Sequence, residues 1–133
     1  GVSRQPVDSV TLQDVWTVLT WPSDEESLTL RIGKDWDATL SVNRSGVIPS
    51  YLRAKCGGER SFRQSIEYSG TVTTSASGEI TWKPGVPVAL GCDCGPACGA
   101  PPLERERRFE LLPFSRYLVG DGILLVRPAP SVD

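Results

Sequence analysis

The clearest order in this chain is a two-residue alternation of apolar and polar positions, interrupted at short intervals. Between Ser27 and Ile32, residues Leu28, Leu30 and Ile32 share one side, and Ser27, Thr29 and Arg31 the other. Successive side chains of a β-strand point to opposite faces, so this spacing predicts a half-buried strand. A hairpin candidate at Gly33 to Trp36 follows. Ala38, Leu40 and Val42 then repeat the pattern until Asn43 to Gly46 breaks it. Phe62, Gln64, Ile66 and Tyr68 alternate through Ser61 to Ser69. The segment Tyr68 to Trp82, YSGTVTTSASGEITW, places two Thr-rich strands around the turn residues SASG. Pro84-Gly85 reads as a turn into Val86 to Leu90, and Tyr117 to Arg127 as a hairpin turning at Gly120-Asp121-Gly122.

Other segments are less regular. Val10 to Trp21 is strand-like but shifts phase between Trp16 and Leu19, which predicts a bulge or burial on both faces. Pro22 to Glu26 is a turn, and Val47 to Gly58 is irregular. Leu103 to Leu112 fits a strand with Leu103, Phe109 and Leu111 on one face, and fits a short helix equally well. Residues 1–9 are polar, contain Pro6 and read as a flexible tail or tether, leaving 10–133 as one domain. About eight short strands with turn punctuation predict a mostly β fold: a single antiparallel β-barrel or a β-sandwich.

Composition narrows the function classes. With 14 Lys and Arg against 16 Asp and Glu, the net charge is -2, so no basic field is present to attract nucleic acid. The longest apolar runs, Gly122 to Val126 and Val86 to Leu90, fall far short of the ~20 residues of a membrane-spanning helix. A chain that begins at Gly1 reads as a mature or trimmed form, so the absence of a leader or lipid-anchoring segment from it carries no information.

The four cysteines, Cys56, Cys92, Cys94 and Cys98, suit two disulfides, three of them lying in one Gly/Pro-rich loop. Four cysteines allow three pairings. A Cys92–Cys94 bridge would close a very tight ring, which favours Cys56 joining the loop while the other two bridge locally. Disulfides imply an oxidising compartment: periplasm, outer surface or secreted space. Four thiolates would also suit a structural zinc ion, but Cys92 and Cys94 are one residue apart and no C-x-x-C knuckle is present.

Histidine is absent, which removes Ser-His-Asp and Cys-His catalysis and every His metal ligand. Asp24-Glu25-Glu26, Asp35 with Asp37, and Glu104 with Glu106 show no spacing that faces two carboxylates across a cleft. No enzyme activity and no cofactor is expected. Arg105, Arg107 and Arg108 interleave with Glu104, Glu106 and Glu110, so charge pairing is expected there, with a partner-binding strip as the alternative. Trp16 and Trp82 read as core. Trp36, between two aspartates in a turn, reads as partly exposed and as a candidate contact for a partner or sugar. Asp93 and Pro96, in the rigid cysteine loop, are further candidates for recognition. Asn43-Arg44-Ser45 matches a glycosylation acceptor.

The strand pattern, with YSGTVTTSASGEITW near the middle and RYLVGDGILLVR at the close, resembles small bacterial lipocalin-like or META-type lipoprotein β-barrels. The resemblance implies a lipocalin-like barrel with a central hairpin at Gly70, Gly78 and Ile80. It also implies a cysteine pair formed by Cys56 and Cys92, and an envelope protein without catalytic activity. The expected function is a non-enzymatic extracytoplasmic domain that binds a protein partner or small ligand. The alternative is an accessory subunit of a surface assembly. Alkylation tests the cysteine assignment: the intact chain should gain no mass before reduction and four alkyl groups after it.

Overall fold

The computed structural model describes residues 9–20, 27–120 and 122–128. Residues 1–8 of the tail read over 1–9, the Pro22 to Glu26 turn, Trp21 and Asp121 lie outside the described residues, while Ser9 opens a helical turn. Eight antiparallel strands follow one another in sequence order and close into a barrel. They are β1 (Asp14–Thr20), β2 (Ser27–Ile32), β3 (Asp37–Val47), β4 (Ser61–Thr74), β5 (Glu79–Cys92), β6 (Arg107–Leu111), β7 (Tyr117–Gly120) and β8 (Ile123–Val126). Two α-helical turns accompany them among the described residues: α1 (Ser9–Leu12) before β1, and α2 (Gly95–Cys98) between β5 and β6. The barrel, not the sandwich, is the architecture, because β8 pairs back onto β1.

Inward-facing residues fill the barrel. Leu28, Leu30 and Ile32 of β2 meet Ala38 and Leu40 of β3, Ile66, Tyr68 and Val72 of β4, and Ile80 and Trp82 of β5 in one buried cluster. Phe109, Leu118, Ile123 and Leu125 complete it from the short strands. Trp16 and Trp82 are fully buried, as their strand positions predict. A buried indole needs an acceptor for its N–H. Trp82 donates to the Ala38 carbonyl at 3.2 Å and Trp16 to the Leu12 carbonyl at 3.0 Å. The Trp82 ring lies so near Gly70 that a Cβ there would stand 2.7 Å from Nε1, so only glycine fits beside it.

Several boundaries differ from the sequence pattern for physical reasons. The strand expected from Val10 begins at Asp14, because residues up to Leu12 coil into α1 and offer a carbonyl to Trp16. The phase shift in this segment is real: the β1–β8 register slips between Val18 and Thr20. Asn43 to Gly46 does not end β3. Each of these residues pairs with β4, Asn43 opposite Ser65 and Gly46 opposite Phe62. Pro84-Gly85 does not turn the chain; β5 passes through it as an irregularity in its pairing with β4. The two strands read from Ser61 to Thr74 are one, β4. Val47 to Gly58 contains a 3-10 helix over Ser50–Cys56, which stops where Gly57 takes a left-handed conformation at φ +67°. Leu103 to Leu112 is a strand only from Arg107, which leaves Leu103 exposed.

The two ends of the barrel are unlike. At one, here the latch end, the Arg127 guanidinium lies 4.1 Å from the Trp16 ring centre and donates to the Thr11 carbonyl. Its Nε is 3.8 Å from the Asp14 carboxylate. Burial pushes the Arg127 pKa down and Asp14 pushes it back up. The other, the disulfide end, carries the long connections between β3 and β4 and between β5 and β6. Leu40 is fully buried at the barrel centre. Leu40→Ala should destabilise the fold by about 2–5 kcal/mol, read as a lower urea midpoint with an unchanged slope.

Candidate functional site

The disulfide end gathers the residues of interest because β3, β4 and β5 are much longer than β6, β7 and β8. Their outer halves extend past the closed barrel. The connections that join them need their own stabilisation, since they lie beyond the main core. They obtain it from two disulfides and a second apolar cluster. Cys56 bonds Cys94, with Cα atoms 5.6 Å apart, and Cys92 bonds Cys98, with Cα atoms 6.4 Å apart. Cys56 thus joins the loop and the remaining pair bridges locally, as the spacing favours. The Cys56–Cys92 pair implied by the lipocalin-like resemblance is not formed, and no thiol is left as a zinc ligand. Ile48, Phe62, Cys94 and Cys98 are buried together, with Leu52, Cys56, Cys92 and Ala97 against them. The cysteine loop is therefore tied to this smaller cluster and not to the barrel core.

Local chemistry shapes the loop. Pro96 stands in the first turn of α2, where a missing N–H costs nothing. The Ala97 and Cys98 amides donate to the Cys94 carbonyl at 3.0 and 3.1 Å, and Gly99 ends the turn at φ +66°. Asp93 is exposed and paired with β4 through the backbone of Arg63. The Arg63 N–H donates to its carboxylate at 3.1 Å, and its own N–H donates to the Arg63 carbonyl at 3.1 Å. A cleft of about 340 Å³ opens beside it, lined by Glu59, Arg63, Asp93 and the Cys56–Cys94 bridge. Asp93 and exposed Pro96 therefore share one end of the molecule. Trp36 does not join them. It sits in the β2–β3 turn at the latch end, at φ +65°, half-buried against the main core.

The alternation that marks β3 and β4 also carries a polar set that single-residue reading passes over. Arg44 continues the inward parity of Ala38, Leu40 and Val42, and it pairs with inward Gln64. Arg44 Nε donates to Gln64 Oε1 at 2.6 Å, and its terminal nitrogen donates to the Cys98 carbonyl at 3.1 Å. Gln64 is only 2% exposed. The Tyr68 hydroxyl donates to the Pro102 carbonyl at 2.7 Å. Arg107 binds the Glu104 carboxylate at 2.8 Å, both side chains mostly buried. Together these groups hold residues 98–104 across the mouth of the barrel. The Glu/Arg run is thus charge-paired, with Arg108 also 3.6 Å from Glu106. The glycosylation acceptor at Asn43 lies within β3, its amide donating to Ser27 Oγ at 2.9 Å and accepting from Ser65 Oγ at 2.7 Å.

The exposed large apolar residues are distributed unevenly. Val47, Tyr51, Val86, Val88, Leu90 and Leu103 lie on the long-strand extension and its connections. Phe114, fully exposed in the β6–β7 turn, is at the latch end. No protein-family model, curated protein or solved structure matches this chain.

Burial raises the Tyr68 pKa first, and the nearby Glu104 carboxylate raises it further. Arg44 and Arg107 pull it down by less. A folded-state value above the unfolded one means that folding favours the neutral phenol. That contribution is fully present below the unfolded value, about pH 10, and is lost as pH rises through the folded value. Urea midpoints measured from pH 7 to 11 should fall at the alkaline limb, and Tyr68→Phe should flatten that fall. The same variant should lose about 1 kcal/mol at pH 7 from the missing hydrogen bond to Pro102.

Proposed function

We propose that this chain is a non-enzymatic extracytoplasmic β-barrel domain that binds a protein partner through its disulfide end. The observation that carries the reading is the concentration of Val47, Tyr51, Val86, Val88, Leu90 and Leu103 in exposed positions there. Apolar side chains gathered on a rigid surface mark interaction sites, because covering them releases water at no cost in fold stability. The two disulfides and the second cluster hold that surface in one shape, which reduces the ordering cost of binding. Asp93 and Pro96 border it and supply polar and rigid contacts.

The paired cysteines support an oxidising compartment, since such bridges persist outside the cytoplasm. The closed eight-strand architecture supports a lipocalin-like relationship at the level of fold. A small apolar ligand within the lumen is the weaker reading, because side chains from every strand converge there and residues 98–104 cross the mouth. A non-catalytic role agrees with the lack of histidine and with the engagement of Glu104 and Glu106 by arginines.

The reading is tested by capture from an extracellular or envelope fraction on the immobilised chain. Proteins other than the chain itself should be retained. Val86→Ser, Val88→Lys and Leu90→Ser in one variant should reduce their retention at least tenfold with an unchanged melting temperature, while Phe114→Ser should leave it intact. Equal retention by the triple variant would overturn the proposal.

A further inference from the structure

β5 has neighbours on both sides only over Glu79 to Trp82, where β6 lies opposite. From Lys83 to Cys92 it pairs with β4 alone, and among the described residues no strand lies along its other side. A strand edge of this kind presents unpaired N–H and C=O groups, and it is a template for another strand unless charge or geometry blocks it. Here charge does not block it. No charged residue occurs from Pro84 to Gly91. Val86, Val88 and Leu90 are 76%, 55% and 60% exposed along the same stretch.

The distribution of residues along this edge selects the occupant. Val86 and Leu90 stand two residues either side of Val88. Lys83 and Asp93, both exposed and of opposite charge, stand five residues either side of it. An antiparallel strand that repeats this sequence with Val88 opposite Val88 sets Val86 against Leu90 and Lys83 against Asp93. Both apolar pairs and both charge pairs are satisfied at once. Such a twofold arrangement is isologous and closes on itself, so it yields a dimer and not a fibre.

We infer that a second copy of this chain docks on the free β5 edge, antiparallel and with Val88 on the twofold axis. This rests on the reading of the disulfide end as a binding surface, and it adds self-association along one edge of that surface. Pro84 and Pro87 each lack an N–H, and the β4–β5 ladder is irregular near both. The intermolecular ladder is therefore incomplete, and the dimer is weak and concentration-dependent.

Sedimentation equilibrium over a wide concentration range tests this with four forms of the whole chain. The parent chain should reach a dimer mass at high concentration. Val88→Lys, which sets two cations together on the axis, should raise the dissociation constant at least tenfold. Lys83→Asp, which faces Asp93 of the second copy with a like charge, should also weaken it several-fold. Lys83→Asp combined with Asp93→Lys reverses both signs and should restore most of the affinity. All the altered side chains are exposed, and a thermal melt should show each variant folded. A strict monomer at every concentration, or dimerisation unaffected by Val88→Lys and by the charge reversal, would overturn the inference. Capture of other proteins by the same edge is decided separately by the retention experiment, so the two can fail independently.

Discussion

A closed antiparallel barrel can pair only as many residues as its shortest strands supply. Here β7 and β8 have four residues each, while β4 and β5 have fourteen. The short strands fix the length of the closed cylinder, and the main core fills it. Whatever the long strands carry beyond that limit must be stabilised without a surrounding sheet. The two disulfides, the cluster of Ile48 and Phe62, and the stretch of β5 paired on one side only all follow from this mismatch. A disulfide contributes chiefly by restricting the unfolded chain, by about 2–4 kcal/mol, which suits a region with little area to bury.

The same mismatch explains why charged groups point inward at that end. Burial of an unpaired charge is costly, so Arg44 and Arg107 can face inward only where acceptors reach them. The chain from the end of α2 to β6 brings these acceptors, the Cys98 carbonyl for Arg44 and the Glu104 carboxylate for Arg107, and its Pro102 carbonyl accepts from Tyr68. Its irregular backbone is thereby satisfied by side chains instead of by a sheet. Both faces of the arrangement are used, with polar groups closing the mouth from within and apolar groups standing outside.

Where burial sets the pattern, the sequence is readable. Ser27 to Ile32 matches its alternation residue for residue, and the hairpin read over Tyr117 to Arg127 supplies β7 and β8. The readings fail where a local signal is outvoted by pairing. Asn43 to Gly46 has turn composition but lies opposite Phe62 to Ser65, and ladder bonds decide its conformation. Pro84-Gly85 has turn composition too, yet β4 holds it extended. The split of Val10 to Leu12 into a helix depends on where the Trp16 indole finds its acceptor, which is a tertiary fact. Of the candidate site, the pairing of Cys56 with the loop was legible from ring size, and the proximity of Asp93 to Pro96 from their separation. The inward set of Arg44, Gln64, Tyr68 and Arg107 required the register between strands, which alternation within one strand does not contain.

The stack of Arg127 on Trp16 has a mechanical meaning. β1 begins and β8 finishes at the latch end, as antiparallel neighbours. Tension applied between residues 9 and 128 therefore opens their ladder like a zipper, one rung at a time, and does not shear it as a block. The first element to feel the load is the guanidinium–indole stack with its hydrogen bond to Thr11. The barrel should yield to low force when drawn by its two ends. The disulfide end, which lies outside that line of force, should stay intact until the zipper has run.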